Sequence, residues 1–241
     1  MSKVFLVVLS YNNLNTTKKF LDLLYKYTNK DLFHLHFIDN GSSDETPKYL
    51  QDFCKDNMSV FLSESNTGVI GGRNLGFEAF NRQSECDSIM FLDNDQYVRD
   101  GWLEQHLKVL NTGYDLIGVE AWQLNRSFLP VKKITSLNET FSYIGCGGSL
   151  IRKDVVDKIG SYDNRFNPSY FEDPDYSKRA YDAGFKIGWN IKARIIHFPH
   201  QTLGKATDKH QRFLKSLQEF RNKWKGKSMP VLRQYNIPAF S

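Results

Sequence analysis

The sequence predicts an α/β protein with a mostly parallel central sheet flanked by helices, and three observations support that reading. Short apolar runs at residues 4–9, 33–38, 60–62 and 89–92 alternate with amphipathic stretches through the first 95 residues. The first of them, 4–9, is continuously apolar, as expected of a strand covered on both faces. The polar residues that end them are Ser10-Tyr11-Asn12, Asp39 and Asp93-Asn94-Asp95. A strand–helix–strand rhythm with right-handed crossovers gathers those ends on one edge, where ligands of such sheets bind.

Taken in order, residues 4–9 form the first strand, and Asn15 is placed to cap the helix after it. In that helix Phe20, Leu21, Leu23, Leu24 and Tyr27 share one side at helical spacing. Residues 33–38 form the second strand, ending at Asp39. Thr46 then reads as an N-cap with Pro47 at the first helical position, and Tyr49, Leu50, Phe53 and Cys54 form the apolar stripe. After a short strand at 60–62, a glycine-rich loop from Gly68 to Gly76 leads into a helix around 77–80. The fourth strand, 89–92, stops at Asp93.

The second half is less regular. A strand is expected at 116–119, an irregular excursion from about 123 to 142, and a strand at 149–151 behind Gly145-Cys146-Gly147-Gly148. Asp173-Pro174 opens a helix with Tyr176 and Ala180 facing inward, Asp173 serving as its N-cap. A strand at 195–196 ends at His197. The last helix spans 207–224, with Phe213, Leu217, Phe220 and Trp224 at near four-residue steps.

Composition narrows the function classes. At 241 residues, 40% hydrophobic and 24% charged, the chain can bury an ordinary globular core. Its net charge of +5 is mild and lacks the concentrated basic patch of a nucleic-acid partner. Three cysteines without a Cys-x-x-Cys pair argue against disulfides or zinc thiolates and for a reducing, cytoplasmic setting. No apolar run is long enough for a transmembrane span, and the first one lacks a signal peptide's cleavage pattern.

Asp93 and Asp95 carry the first chemical signal. A buried strand delivers two carboxylates, two residues apart, to a sheet edge, as a hard divalent cation bridged to phosphates requires. The competing reading is a solvated turn. A dinucleotide-binding turn is excluded, because the first strand is followed by Ser10-Tyr11-Asn12-Asn13-Leu14 with no glycine, and no Gly-Lys-Ser/Thr P-loop is present.

Four ordered motifs then resemble glycosyltransferase family two, which has the GT-A fold. They are Val8-Leu9-Ser10-Tyr11-Asn12-Asn13, Phe37-Ile38-Asp39-Asn40-Gly41-Ser42-Ser43-Asp44-Glu45-Thr46, Asn66-Thr67-Gly68-Val69-Ile70-Gly71-Gly72-Arg73-Asn74-Leu75-Gly76 and the Asp93-Asn94-Asp95 signature. The likeness spans roughly residues 4–200 and leaves the last helix outside. It implies an inverting, metal-dependent transfer of a sugar from a nucleotide-diphosphate sugar to a hydroxyl of a carbohydrate or glycolipid acceptor. It implies a GT-A catalytic domain over 1–204, with a nucleotide-binding half to about 95 and an acceptor-binding half from 96, followed by a C-terminal helix and tail over 205–241.

The resemblance also assigns roles. Ser10, Tyr11, Asn12, Asp39, Asn66, Gly68, Arg73, Asp93 and Asn94 are expected at the nucleotide. Asp39 can accept from the N3–H of uracil or thymine, with guanine left open, or it can cap its own turn. Arg73 can hold phosphate, stack on the base or form a salt bridge. Asp93, Asp95 and His197 are expected to hold Mn2+ or Mg2+, with His200 competing for the histidine role. In Glu172-Asp173-Pro174-Asp175, Asp173 matches the catalytic base and Glu172 can orient the acceptor hydroxyl. Gly147 and Gly148 would let backbone lie against the donor sugar, and Trp189 is either an acceptor platform or core. Arg179 is expected to pair with a helix-side carboxylate. The basic C-terminal helix is expected to leave its charges solvated in preference to resting on a membrane. Two rival readings stand beside this one: a sugar nucleotidyltransferase, disfavoured because no glycine-rich loop follows the first strand, and a catalytically silent carbohydrate-binding relative.

Overall fold

The computed structural model describes residues 3–145, 147–198 and 208–234. The first half is β1 (Lys3–Ser10), α1 (Leu14–Tyr27), β2 (Phe33–Asp39), α2 (Thr46–Phe53), β3 (Met58–Leu62), α3 (Gly68–Asn81) and β4 (Cys86–Asp93). The second half is β5 (Gln96–Val98), α4 (Trp102–Leu110), β6 (Leu116–Gly118), β7 (Ala121–Leu124), β8 (Pro130–Lys133), β9 (Thr140–Phe141), β10 (Tyr143–Ile144), β11 (Ser149–Arg152), α5 (Lys153–Ile159), α6 (Glu172–Asp182), β12 (Ile187–Trp189), β13 (Ile195–His197), α7 (Lys209–Lys223) and β14 (Leu232–Arg233).

A seven-stranded sheet in the order β12-β6-β11-β4-β1-β2-β3 forms the centre. β1 is parallel to β2 and β4, β2 to β3 and β6 to β12, while β11 runs antiparallel to both β4 and β6. Side chains alternate along β1. Val4, Leu6 and Val8 pack with Phe20, Leu21 and Leu24 of α1, whereas Phe5 and Val7 pack with Ile70, Phe77 and Phe80 of α3. Covering both faces explains why β1 is apolar without a break from Val4 to Leu9.

The glycine-rich segment is helix, not loop. α3 starts at Gly68, nine residues before Phe77, because its glycines allow the helix to lie close on β1. A Cβ at Gly72 would stand 2.5 Å from Leu9 Cδ1, and one at Gly76 would stand 2.7 Å from Val7 Cγ1. Each glycine costs about 1 kcal/mol of helix propensity, which close packing offsets. Its first amides are also satisfied: Val69 N donates to Pro168 O at 2.9 Å and Gly71 N to Asn167 Oδ1 at 3.2 Å.

Other element starts differ from expectation by a residue or two. Asn13 precedes α1 and accepts from the Thr16 hydroxyl at 2.9 Å, so Asn15 lies inside the helix. Glu45 precedes α2, and Asp44 Oδ1 accepts from Thr46 N at 3.0 Å, leaving Pro47 as the second helical residue. Phe171 occupies the cap of α6, which puts Asp173 in the first turn. The supposed irregular excursion contains most of a three-stranded sheet, β10-β7-β8. Thr207 lies outside the described residues. α7 buries Ser216, Leu217 and Phe220, and β14 pairs with β9, so the C-terminal segment shares the main core. Among the described residues no helix is long and apolar enough to cross a membrane.

Candidate active site

A cavity of about 380 Å3 opens at the carboxyl ends of β1 and β4. One end is lined by Ser10, Tyr11, Asn40, Asn66, Gly68 and Arg73. Asn40, ending the β2 turn, holds this end together. Its Oδ1 accepts from Thr67 N at 3.0 Å, and its Nδ2 donates to Gly68 O at 3.0 Å. Asn12 does not line the cavity and ties the same turn: its Oδ1 accepts from Ser43 N at 2.7 Å.

Asp39 is 1% exposed and lies behind this wall, not in it. Its carboxylate accepts from Ser42 N at 2.8 Å, Ser42 Oγ at 2.5 Å and Ser10 Oγ at 3.4 Å. In this placement it shapes the turn.

β4 delivers Asp93, Asn94 and Asp95 to the cavity. Asp93 Oδ1 accepts from Arg73 Nη2 at 2.7 Å, within an almost fully buried guanidinium's reach. Gly147 lies against the other carboxylate oxygen: a Cβ there would be 2.9 Å from Asp93 Oδ2. Asn94 is buried and donates from Nδ2 to Thr17 Oγ1 at 3.1 Å.

His197 reaches this turn through a two-stranded ribbon. β13 pairs antiparallel with β5, setting His197 opposite Gln96, and Phe198 N donates to Asp95 O at 3.0 Å. The ligand atoms of Asp93, Asp95 and His197 lie within 4.8 Å of one another. Ligands on one Mn2+ or Mg2+ at about 2.1 Å are at most about 4.2 Å apart, so shifts of tenths of an ångström complete the set. Asp95 Oδ1 is buried with no hydrogen-bond donor among the described residues, and His197 Nε2 stands 3.3 Å from it. A mixed oxygen and imidazole set fits Mn2+. His200 lies outside the described residues.

Burial works against the charged imidazole of His197, but contact with Asp95 and the charges of Asp95, Asp93 and Glu120 outweigh it, and its pKa is raised. Glu172 is 8% exposed, and burial pushes its carboxyl up to about 8, with the charge of Asp173 adding to the rise and Arg73 opposing it. Asp173 lines the cavity beside Glu172. Arg179 pairs with Asp175 at 2.8 Å, as a helix-side brace.

Two expected sugar contacts lie off the cavity. Trp189 is 3% exposed within β12 and packs in the core, and Gly148, with φ +85, lies against Val119. The cavity instead gains Asn40, Gln96, Glu120, Trp122, Tyr143 and Arg212. Asn40 stands inside a motif already read in the sequence. Trp122 and Tyr143 come from short strands whose two to four residues set no readable period, and Glu120 lies in the link between β6 and β7.

Residues 5–145, more than half of the chain, match the family model described as glycosyl transferase family 2. The chain belongs to that family. Among curated proteins none matches significantly. Solved structures place the fold in the GT-A class. GalNAc-T7 with UDP, GalNAc and Mn2+ aligns with a TM-score of 0.76 at 16% identity, covering 94% of this chain and 48% of that one. The mannosyltransferase PcManGT from Pyrobaculum calidifontis, in complex with GDP-Man and Mn2+, gives 0.71 at 12% identity, over 95% of this chain and 66% of that one. S. aureus TarS 1–349 in complex with UDP-GlcNAc gives 0.68 at 16% identity, over 95% and 68%. The chain thus spans about half the length of GalNAc-T7 in that structure.

Proposed function

We propose that the protein is an inverting, metal-dependent glycosyltransferase that moves a sugar from a nucleotide-diphosphate sugar, with UDP-sugars favoured, to a hydroxyl of a carbohydrate or glycolipid acceptor. The observation behind this reading is the convergence of Asp93, Asp95 and His197, within 4.8 Å of one another, in a cavity that also holds Glu172 and Asp173. The residues are separated by up to 104 positions along the chain, and a three-ligand set of this kind suits a cation bound to a diphosphate. The UDP, UDP-GlcNAc and GDP-Man carried by the fold neighbours support the donor class.

Ser10, Tyr11, Asn66 and Gly68 enclose the nucleoside, while Asp39 orders the turn beneath them. Arg73 holds Asp93 in place and lends positive charge to the diphosphate end. Asp93, Asp95 and His197 hold Mn2+ or Mg2+, which when bound supplies charge that stabilises the departing nucleoside diphosphate. Asp173 accepts the proton of the acceptor hydroxyl as that oxygen bonds to the anomeric carbon, and the diphosphate leaves from the opposite face. One displacement inverts the anomeric configuration. Glu172 orients the acceptor. The free thiols of Cys54 and Cys86 accord with a cytoplasmic setting.

A thermal-shift screen of UDP- and GDP-sugars with and without Mn2+ tests this. A binder of the native state raises the unfolding midpoint with its concentration. The expected result is stabilisation by at least one nucleotide sugar that EDTA reverses. If no nucleotide sugar stabilises the protein in Mn2+, the reading is wrong.

A further inference from the structure

β7 and β10 lie side by side with Trp122 opposite Tyr143, and both side chains line the cavity. Cross-strand partners share one face of a sheet, so both rings belong to one aromatic wall of the cavity. Polar groups rim it. Glu120 pairs with Lys133, whose Nζ also stands 5.9 Å from the centre of the Trp122 ring. An indole edged by a carboxylate and an ammonium presents an apolar surface beside hydrogen-bonding groups, which matches a pyranose: one C–H face, with hydroxyls around its rim.

The wall also lies where an acceptor must. Gly145 N donates to Glu120 O at 3.0 Å. A Cβ on Gly145 would stand 3.8 Å from Asp173 Oδ2 and 3.9 Å from Glu120 Cβ. Gly145 is therefore a bare floor between Glu120 and Asp173, the carboxylate expected to take the acceptor's proton. A sugar resting there brings a hydroxyl to Asp173.

Resting on the function proposed above, we propose that the acceptor is a pyranoside whose ring stacks on Trp122 over Gly145, with Glu120, held by Lys133, binding its hydroxyls. This moves the acceptor platform from the core residue Trp189 to Trp122.

The test uses the full chain with Mn2+ and the UDP-sugar that binds best, measuring donor hydrolysis alone and transfer to a panel of 4-nitrophenyl pyranosides. Trp122→Ala is expected to lower the ratio of transfer to hydrolysis at least tenfold and to raise the acceptor KM, with Trp122→Phe recovering most of the loss. Gly145→Ala gives a second route. Its new methyl makes only ordinary contacts, so the protein folds, yet it fills the floor and lowers the same ratio. An unchanged ratio in Trp122→Ala and Gly145→Ala overturns the subsite. So does transfer to a serine peptide or a polyprenol but to no pyranoside. Absence of both Mn2+-dependent donor hydrolysis and transfer to any acceptor in the unsubstituted protein overturns the glycosyltransferase reading itself, and the subsite with it.

Discussion

Lys223 Nζ lies 2.6 Å from Asp175 Oδ1, and this contact joins the C-terminal helix to the first turn of the helix that carries Glu172 and Asp173. Asp175 is fully buried and also accepts from Arg179 Nε at 2.8 Å and Trp224 Nε1 at 3.0 Å. The preceding loop is held from the same side. Ser216 donates its hydroxyl to Ser169 O at 2.9 Å, and Phe213 packs on Tyr170 and Phe171. Those two residues have left-handed backbone, with φ of 77 and 67, a conformation that costs energy and persists only where its surroundings fix it. The C-terminal helix thus supports the strained turn next to the expected base.

Removing Lys223 tests that support. Lys223→Met leaves Asp175 buried with two of its three partners. Breaking a buried pair outright costs about 3–5 kcal/mol, so with Arg179 and Trp224 remaining a loss of about 2 kcal/mol is expected. Urea unfolding measures it. Transfer is expected to fall through kcat more than through the donor KM, and Lys223→Arg to recover part of both. A stability change within 0.5 kcal/mol, roughly the surface-substitution range, would dismiss the brace.

Asp173→Asn keeps the size of the side chain and removes its basicity. Loss of a general base lowers turnover by about 10^2–10^4-fold. Transfer is expected to fall by that factor, with Mn2+-dependent stabilisation by the donor retained. Turnover at the unsubstituted level would remove Asp173 as base.

The parallel half of the fold and the edge where its strands end were legible in the sequence because β1 and β4 carry unbroken apolar runs, at 4–9 and 89–92, and β2 buries Phe33, Leu35, Phe37 and Ile38. Their last residues also differ sharply from what precedes them. The glycines of α3 misled, since a residue chosen for close helix–sheet contact looks the same in one dimension as one chosen for a loop. Asp39 and Trp189 show a second limit: residue type fixes what a side chain can bind, while its burial and hydrogen bonds fix whether it meets the cavity. Trp122 and Tyr143 were missed because strands of two to four residues carry almost no periodicity. His197 was found only through family resemblance, as its neighbour Asp95 is 102 residues away and the ribbon joining them has three residues per strand.

Metal binding should depend on pH through His197. Only neutral imidazole binds a metal, and the neighbouring carboxylates raise this histidine's pKa. Proton competition is therefore present nearer neutrality than for an ordinary histidine, and Mn2+ affinity falls as pH is lowered from about 8 towards 6. Calorimetric titration with Mn2+ and UDP measures the trend. His197→Ala is expected to bind Mn2+ at least tenfold more weakly and to flatten the slope. Equal slopes in the two proteins would take His197 out of the ligand set.

Glu172 sets a stability trend of opposite origin. Burial, then the charge of Asp173, raise its carboxyl to about 8, against an ordinary value of 4.5. Between those two pH values the folded state keeps a proton that the unfolded chain has released. Stability is thus fully present below about 4.5, declines as pH rises, and reaches its floor above about 8. Glu172→Gln is neutral throughout and escapes the decline. Its advantage over the unsubstituted protein should grow from pH 5 to pH 8.5 and amount to a few kcal/mol, because each tenfold change in proton affinity is worth about 1.4 kcal/mol. Burial holds His36 and His106 down at about 4, which weakens both proteins at acid pH and cancels in the comparison. Urea unfolding in EDTA at several pH values gives the difference directly. An advantage that stays flat across the range would mean that Glu172 is ionised at neutral pH, and its buried Oε2 would then need a cationic partner close at hand.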